Sequence, residues 1–544
     1  MRPAQAVLLL LLSTLFIACI GQLPPPPELR VTSPDRGLLQ ANSARVTVQG
    51  TAVAGTSGSP VVKVTVNTVV ATLSADGSFT AAVDVPAGAT LLETIAYSEE
   101  GGSATDARAV HSGELKPVGS NIERAVTATL SADAFARLSA AAGPLVKSVN
   151  LQALLAPLQP MANLGDSIAN VKLSVTKLGL GDAKFTLIPV DGGLEFTAEL
   201  SGISLDATAA YAGSLVPDGS TTVSVTADKI TLGGTLVVTP AGTAGFTTKI
   251  TAPTVTTANL QLQASGLVGQ ILDLLNTNLR STMQDITTRS AELALQPLIN
   301  AALGALAGPQ RFDILGKHLE LLASPSAVTF SRAGALVTIN LAAKIEGSES
   351  SPGYIFTPNG TPTMDVGSGI QIGLADDLIN ELLAQVHAIG LLDIHLEEDF
   401  GIFDTVDIKL ELPPMVSANS TDGALRLVLG DMIASFSDDG KEIVRAAVNA
   451  QVDLEILRGT DAQEIALQFG KARVFVNVLE TMNGEPSDDP TGMAGAAAAG
   501  ISLQLDSLSK FLITVPVPAV AGVTLDNLAL KADSGYVLVS GEVH

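Results

Sequence analysis

The sequence predicts an α+β protein, and three observations carry that expectation. Runs of Val, Thr, Ile and Leu alternate with small or polar residues at period two over much of the chain, the strand signature. Two segments, 267–306 and 375–391, instead place apolar residues three and four apart, the helical period. The apolar fraction is 47% while aromatics make up 3% and Trp is absent, so aliphatic side chains must build both kinds of face.

The chain begins with Arg2, an apolar run from Val7 to Ile17, and then Ala18 and Cys19, its only cysteine. The run is shorter than the ~20 residues a spanning helix needs. Residues 1–18 therefore read as a cleaved export signal. The tetrapeptide Phe16-Ile17-Ala18-Cys19 resembles a bacterial lipobox, which implies that the Cys19 thiol is acylated (palmitate being one such chain) and becomes the new N-terminus. An ordinary signal peptide with an incidental cysteine is the alternative. Residues 19–28, with Pro24 to Pro27, read as a stiff tether. Ile20 rather than Asp follows the cysteine, which points to the outer membrane of a bacterial envelope. No second cysteine exists to form a disulfide.

Residues 29–113 read as a small all-β domain. Val46 and Val48, then Val62, Val64 and Val66, then Phe79, Ala81, Val83 and Val85 keep period two. Asp76-Gly77 between two such runs is a hairpin signal. Together with Val31-Thr32-Ser33-Pro34, these strands resemble a bacterial immunoglobulin-like (Ig-like) domain, which implies a spacer.

Strand-like stretches follow at 171–180, 194–205, 222–232, 235–239 and 247–262. In the helix predicted over 267–306, Val268, Leu272, Leu275, Leu279, Met283 and Ile286 share one face, and Pro297 predicts a break near Gln296. In the helix predicted over 375–391, Ile379, Leu382, Val386 and Ile389 share a face, and Asp376 and Asp377 suit the dipole of the first turn. More strands are expected from 405 to the end, around an acidic turn region and a small-residue patch at 481–500.

This element order resembles the TULIP superfamily, the lipid-binding proteins related to bactericidal/permeability-increasing protein (BPI). The segment 372–392 is similar to the helix of its second barrel. Pro516-Val517-Pro518, Gly522 to Leu528 and Gly535 to Val539 are similar to its last strands. The resemblance implies a first barrel over 114–312 and a second over 313–544. Each would wrap a curved sheet around a long amphipathic helix with an apolar slot between them. Such a slot would favour acyl chains by about 0.8 kcal/mol per buried methylene. The first slot would then use the six residues from Val268 to Ile286, and the second Ile379, Leu382, Val386 and Ile389. Basic charge and a disulfide, found in bactericidal members, are missing here.

Net charge is −24, of which residues 313–544 carry −20, a balance that repels phosphate backbones and argues against nucleic acid. No nucleophile elbow, His-Glu-x-x-His or phosphate loop occurs, so no enzyme, catalytic residue, metal or cofactor is expected. Asp393, His395 and Glu397 share a strand face, where a hard-metal site could be drawn with Glu398 and Asp399 nearby, and a solvated acidic edge is the reading preferred for them. The expectation is an envelope lipoprotein that binds, and by extension transfers, lipid or another long apolar molecule. A structural or adhesive lipoprotein without cargo is the alternative. Protein partners are not legible.

Overall fold

The computed structural model describes residues 25–543 except 43, 149–158, 161, 215–216, 265–268, 304–307, 315, 362–368, 398–402, 418–424, 459–463, 483–492, 494, 503–504, 506–514 and 517–524. Cys19, the export signal and the start of the tether lie outside the described residues.

The α+β expectation is corrected, because strand accounts for 63% of the chain and helix for 14%. The protein is mainly β, and two long helices each wrapped by a barrel are not what it contains. The second helix is the plainest departure. It spans 13 residues, Asp376–Ala388, and its polar side chains are buried along with its apolar ones.

The N-terminal unit consists of two facing sheets. One carries strands Glu28–Ser33, Arg45–Val53, Thr72–Leu73 and Ser78–Asp84; the other carries Leu38–Gln40, Val61–Val66, Val69–Val70, Gly88–Ser98 and Ser103–Ser112. Val46, Val48, Val64, Val66, Phe79, Val83 and Val110 meet between them. The strand Arg45–Val53 alternates buried and exposed along its whole length, as one face on a core requires. At the Asp76-Gly77 turn, Gly77 has φ 82° and Asp76 Oδ1 accepts from the Ser78 N–H at 3.0 Å.

Four further sheets follow among the described residues, the smallest pairing Glu114–Lys116 with Tyr354–Phe356. A central sheet joins Ile122–Ser131 to Gly334–Ile345 on one side and to Ile370–Ala375 on the other, and Tyr536–Val543 follows. Strands from the start, middle and end of the chain thus lie side by side. A first-lobe sheet is built on the 20-residue Gly193–Ala212 and the 22-residue Gly219–Pro240. A second-lobe sheet is built on Arg426–Asp438 and Lys441–Arg458.

The two long first-lobe strands serve two cores. Leu194, Phe196 and Ala198 belong to the large core shared with the central sheet and the second lobe. Beyond Gly202, at φ 62°, the buried side chains change from even to odd positions: Ile203, Leu205, Ala207 and Ala209 belong to a separate core. The pairing of these two strands keeps one register on both sides of Gly202, so the two cores are served by alternate positions of the same ribbon.

Helix α1 is Ala132–Ser148, which the sequence reading did not assign. Ser131 Oγ accepts from the Ala134 N–H at 3.2 Å as its N-cap. Ser139 Oγ accepts from the Leu187 N–H at 2.9 Å, tying α1 to the strand Asp182–Val190. Helix α2 is Gly269–Leu303 and runs through Pro297, so the expected break near Gln296 is absent. It packs on the separate core. Helix α3 is Asp376–Ala388.

Candidate functional site

The first-lobe seam between α2 and its sheet is the apolar site. Ile271, Leu275 and Met283 of α2 are buried there against Leu173, Val175, Leu205, Val223 and Val225. A residual cavity of about 20 Å³ remains among them, walled also by Leu164, Ala207, Leu262 and Thr282. Thr282 is the one polar side chain in that wall, is 6% exposed, and its Oγ1 has no hydrogen-bond partner among the described residues. Ligand pockets commonly measure about 300–1,000 Å³. The seam is therefore closed, and an acyl chain could enter only if α2 moved outward.

Of the six residues named for the first slot, Leu275 and Met283 line this cavity, while Leu272 is half-buried and does not. Val268 and the side chains of Leu279 and Ile286 lie outside the described residues. The sheet side of the seam, and Thr282, were not singled out from sequence. The signal for the sheet residues was present as strand alternation, but nothing in it says which face meets α2.

In the second lobe, Ile379 and Val386 are packed into the large core, with Leu382 and Ile389 half-buried against it. All four thus belong to or border the same large core. The polar side of α3 is buried as well. Asn380 exchanges two hydrogen bonds with the Val416 backbone, at 2.7 and 3.0 Å. Gln385 Oε1 accepts from the Ile345 N–H at 2.7 Å, and its Nε2 donates to the Ala343 carbonyl at 3.0 Å. Asp377 accepts from the Thr357 N–H at 2.8 Å and from Asn359 Nδ2 at 3.2 Å. Thr357 Oγ1 also donates to Asp376 at 2.8 Å. Asp376 and Asp377 are thus buried hydrogen-bond acceptors and not a solvated first turn.

Burial shifts this group strongly. It pushes the Asp377 carboxyl up to about 7, against the hydrogen bonds from Thr357 and with added repulsion from Asp376. It pushes Glu381 up to about 8, although the Gly119 N–H donates to Glu381 Oε1. Glu381 Oε2 has no partner among the described residues. A protonated, neutral Glu381 is what such a site holds.

A second polar cluster fixes the N-terminal unit to the second lobe. Asp431 is 1% exposed and accepts from Arg36 at 3.2 Å, from the Gly37 N–H at 2.7 Å and from the Ala109 N–H at 3.0 Å. Asn449 Nδ2 joins it at 3.0 Å. His111 is fully buried nearby with neither ring nitrogen hydrogen-bonded among the described residues, and burial pushes its imidazole down to about 4 despite Asp431. His395 is exposed between Asp407, at 2.6 Å, and Glu397, at 3.2 Å, and its hydrogen bond to Asp407 leads in raising its pKa. Glu398 and Asp399 lie outside the described residues.

No curated protein matches the chain in sequence. Among solved structures, it is similar to lipopolysaccharide binding protein, with 14% identity and a TM-score of 0.38 over 78% of this chain and 99% of that one. It is similar to P47 of Clostridium botulinum E1, with 7% identity and a TM-score of 0.28 over 77% and 98%. It is similar to latherin, with 14% identity and a TM-score of 0.16 over 32% and 92%. Residues 27–113 match the family model described as glucodextranase, domain B. The N-terminal pair of sheets is accordingly an Ig-like domain.

Proposed function

We propose that this chain is a TULIP-like, lipid-binding envelope lipoprotein that takes lipid or another long apolar molecule into the first-lobe seam. The observation that supports this most is the separateness of that seam. Its side chains form a core apart from the large one, so α2 can move away from the sheet without disrupting the central sheet or the second lobe. Methylenes of the entering chain would replace the contacts that α2 gives up, at about 0.8 kcal/mol each. Acylated Cys19 would tether the protein to the outer membrane, and the Ig-like domain would hold the lobes at a set distance from it. In this reading the protein is not an enzyme and takes no nucleic acid. Whether it transfers cargo follows from the same motion of α2.

The close packing around Ile379 and Val386 and the fixed Ig-like domain favour a second reading, a structural or adhesive lipoprotein. Native mass spectrometry of the purified protein, with organic extraction of whatever is bound, separates the two. The lipid-binding reading expects phospholipid- or fatty-acid-sized adducts that Leu275→Trp removes by filling the seam. Leu382→Trp, facing the large core, is expected to lower stability and leave adducts in any folded protein. A bare mass with no uptake from phosphatidylcholine vesicles supports the structural reading instead.

A further inference from the structure

We infer that the docking of the Ig-like domain on the second lobe is a pH-sensitive contact, released when His111 takes up a proton.

His111 lies in the strand Ser103–Ser112 of that domain. Its neighbour Val110 belongs to the domain's own core. Successive side chains of a strand take opposite faces, so Ala109 and His111 point out of the sandwich. Both are nevertheless 0% exposed. The second lobe lies against them: the Ala109 N–H donates to Asp431, and a Cβ built on Gly430 would lie 3.6 Å from His111 Nε2. Docking therefore buries this imidazole, and undocking returns it to water. The domain keeps its core when it leaves, because that core is built from residues 29–110.

In the docked state a proton on His111 gains no hydrogen bond. Neither ring nitrogen has a partner among the described residues. Asp431 attracts a charge there, but a carboxylate has about four lone-pair sites and four donors already fill those of Asp431. Oδ1 accepts from Arg36 at 3.2 Å and from Asn449 Nδ2 at 3.0 Å; Oδ2 accepts from the Gly37 and Ala109 N–H groups at 2.7 and 3.0 Å. Arg36 also pairs with Asp106, which takes Arg108 as well. His387 of α3, whose Nε2 meets the Leu410 carbonyl at 2.8 Å, opposes a charge on His111. Leu39 and Ala89, its partners on the flanking strands, are apolar. A buried cation without a partner is costly, whereas water solvates both N–H groups of a free imidazolium. Burial accordingly holds the docked imidazole down at about 4, against about 6.5 in water, so protons favour the undocked form below about pH 6.5.

The test follows amide hydrogen exchange of the full-length protein at pH 7 and pH 5, read as protection factors so that the intrinsic pH dependence of exchange cancels. Gly37 and Ala109, whose N–H groups donate to Asp431, report docking. Their protection is expected to fall about twentyfold from pH 7 to pH 5, the ratio that a docked value of about 4 and a free one of about 6.5 imply, and to return at pH 7. The interior of the Lys441–Arg458 strand is expected to stay protected throughout. His111→Phe and His111→Leu fill the site without titrating, and each is expected to lose less than about twofold over the same range. Protection at Gly37 and Ala109 that stays flat in wild type, or a fall that survives in either variant, overturns the inference. An equal fall within the Lys441–Arg458 strand overturns it as well, since the lobes would then be unfolding together with the domain.

Discussion

At the residue scale, the buried ionisable groups set how this protein responds to pH. Glu381 and Asp377 keep their protons in the folded state up to about pH 8 and pH 7, whereas unfolded carboxylates release them near pH 4. Between those limits the folded state binds more protons, so stability falls as pH rises, by up to about 1.4 kcal/mol per pH unit for each excess proton. His111 acts the other way. It stays neutral when folded down to about pH 4, while the unfolded imidazole charges below about 6.5, so acidification through that window costs stability. From pH 6.5 to 8.5 the carboxylates act in the same direction as His395, whose pKa the Asp407 hydrogen bond raises, and melting temperature is expected to fall across it. Glu381→Gln keeps an acceptor for the Gly119 N–H and carries no charge. Thermal melts at pH 6.5 and 8.5 are expected to show a shallower fall in that variant and a higher melting point than wild type at pH 8.5. An unchanged slope would mean that Glu381 is ionised when folded.

At the element scale, the strand Ser103–Ser112 is held to the strand Arg426–Asp438 by one carboxylate. Asp431 accepts from Arg36 and from two backbone N–H groups of the Ig-like domain, so that domain is docked and not hung on a free linker. Breaking a buried pair by removing one charge costs about 3–5 kcal/mol. Asp431→Asn is expected to raise amide hydrogen exchange at Gly37 and Ala109 by tenfold or more and to leave the interior of the Lys441–Arg458 strand protected. Equal exchange in the two proteins would show that the remaining contacts, among them Asn477 with Thr105 and Ala107, hold the domain without Asp431. The same scale explains the helix that was misjudged. Counting apolar spacing in 375–391 located α3, but the count is blind to whether the remaining positions face water. Asn380 and Gln385 face backbone groups of neighbouring strands instead, and those partners lie 36 to 42 residues away in the chain.

At the scale of the whole molecule, the central sheet joins the lobes. The strand Tyr536–Val543 borders Ile370–Ala375, which borders Ile122–Ser131. Tyr536 is fully buried and donates its hydroxyl to the Arg124 carbonyl at 3.0 Å. Removing residues 536–544 leaves an unpaired strand edge in the middle of the molecule. That truncation is expected to abolish soluble, cooperatively melting protein rather than to shorten one lobe, as circular dichroism melts and the yield of soluble monomer would show. A truncated chain with the wild-type melt would show that the lobes hold together without this strand.

Local pattern alone determined much of this protein. Period-two valines located the strands of the Ig-like domain, and Asp76-Gly77 located a turn, because side-chain alternation and turn chemistry are set by neighbours in the chain. Three-and-four spacing located α2 and α3 for the same reason. Tertiary structure decided which buried surfaces stay apart. Ile203 and Leu205 join a core apart from that of Leu194 and Phe196 on the same strand, and this separates the α2 seam, with Thr282 in its wall, from the large core. Whether a leucine stripe becomes closed core, as around Val386, or the wall of a seam, as at Leu275, depends on strands distant in sequence, and burial is a property of that assembly rather than of the stripe.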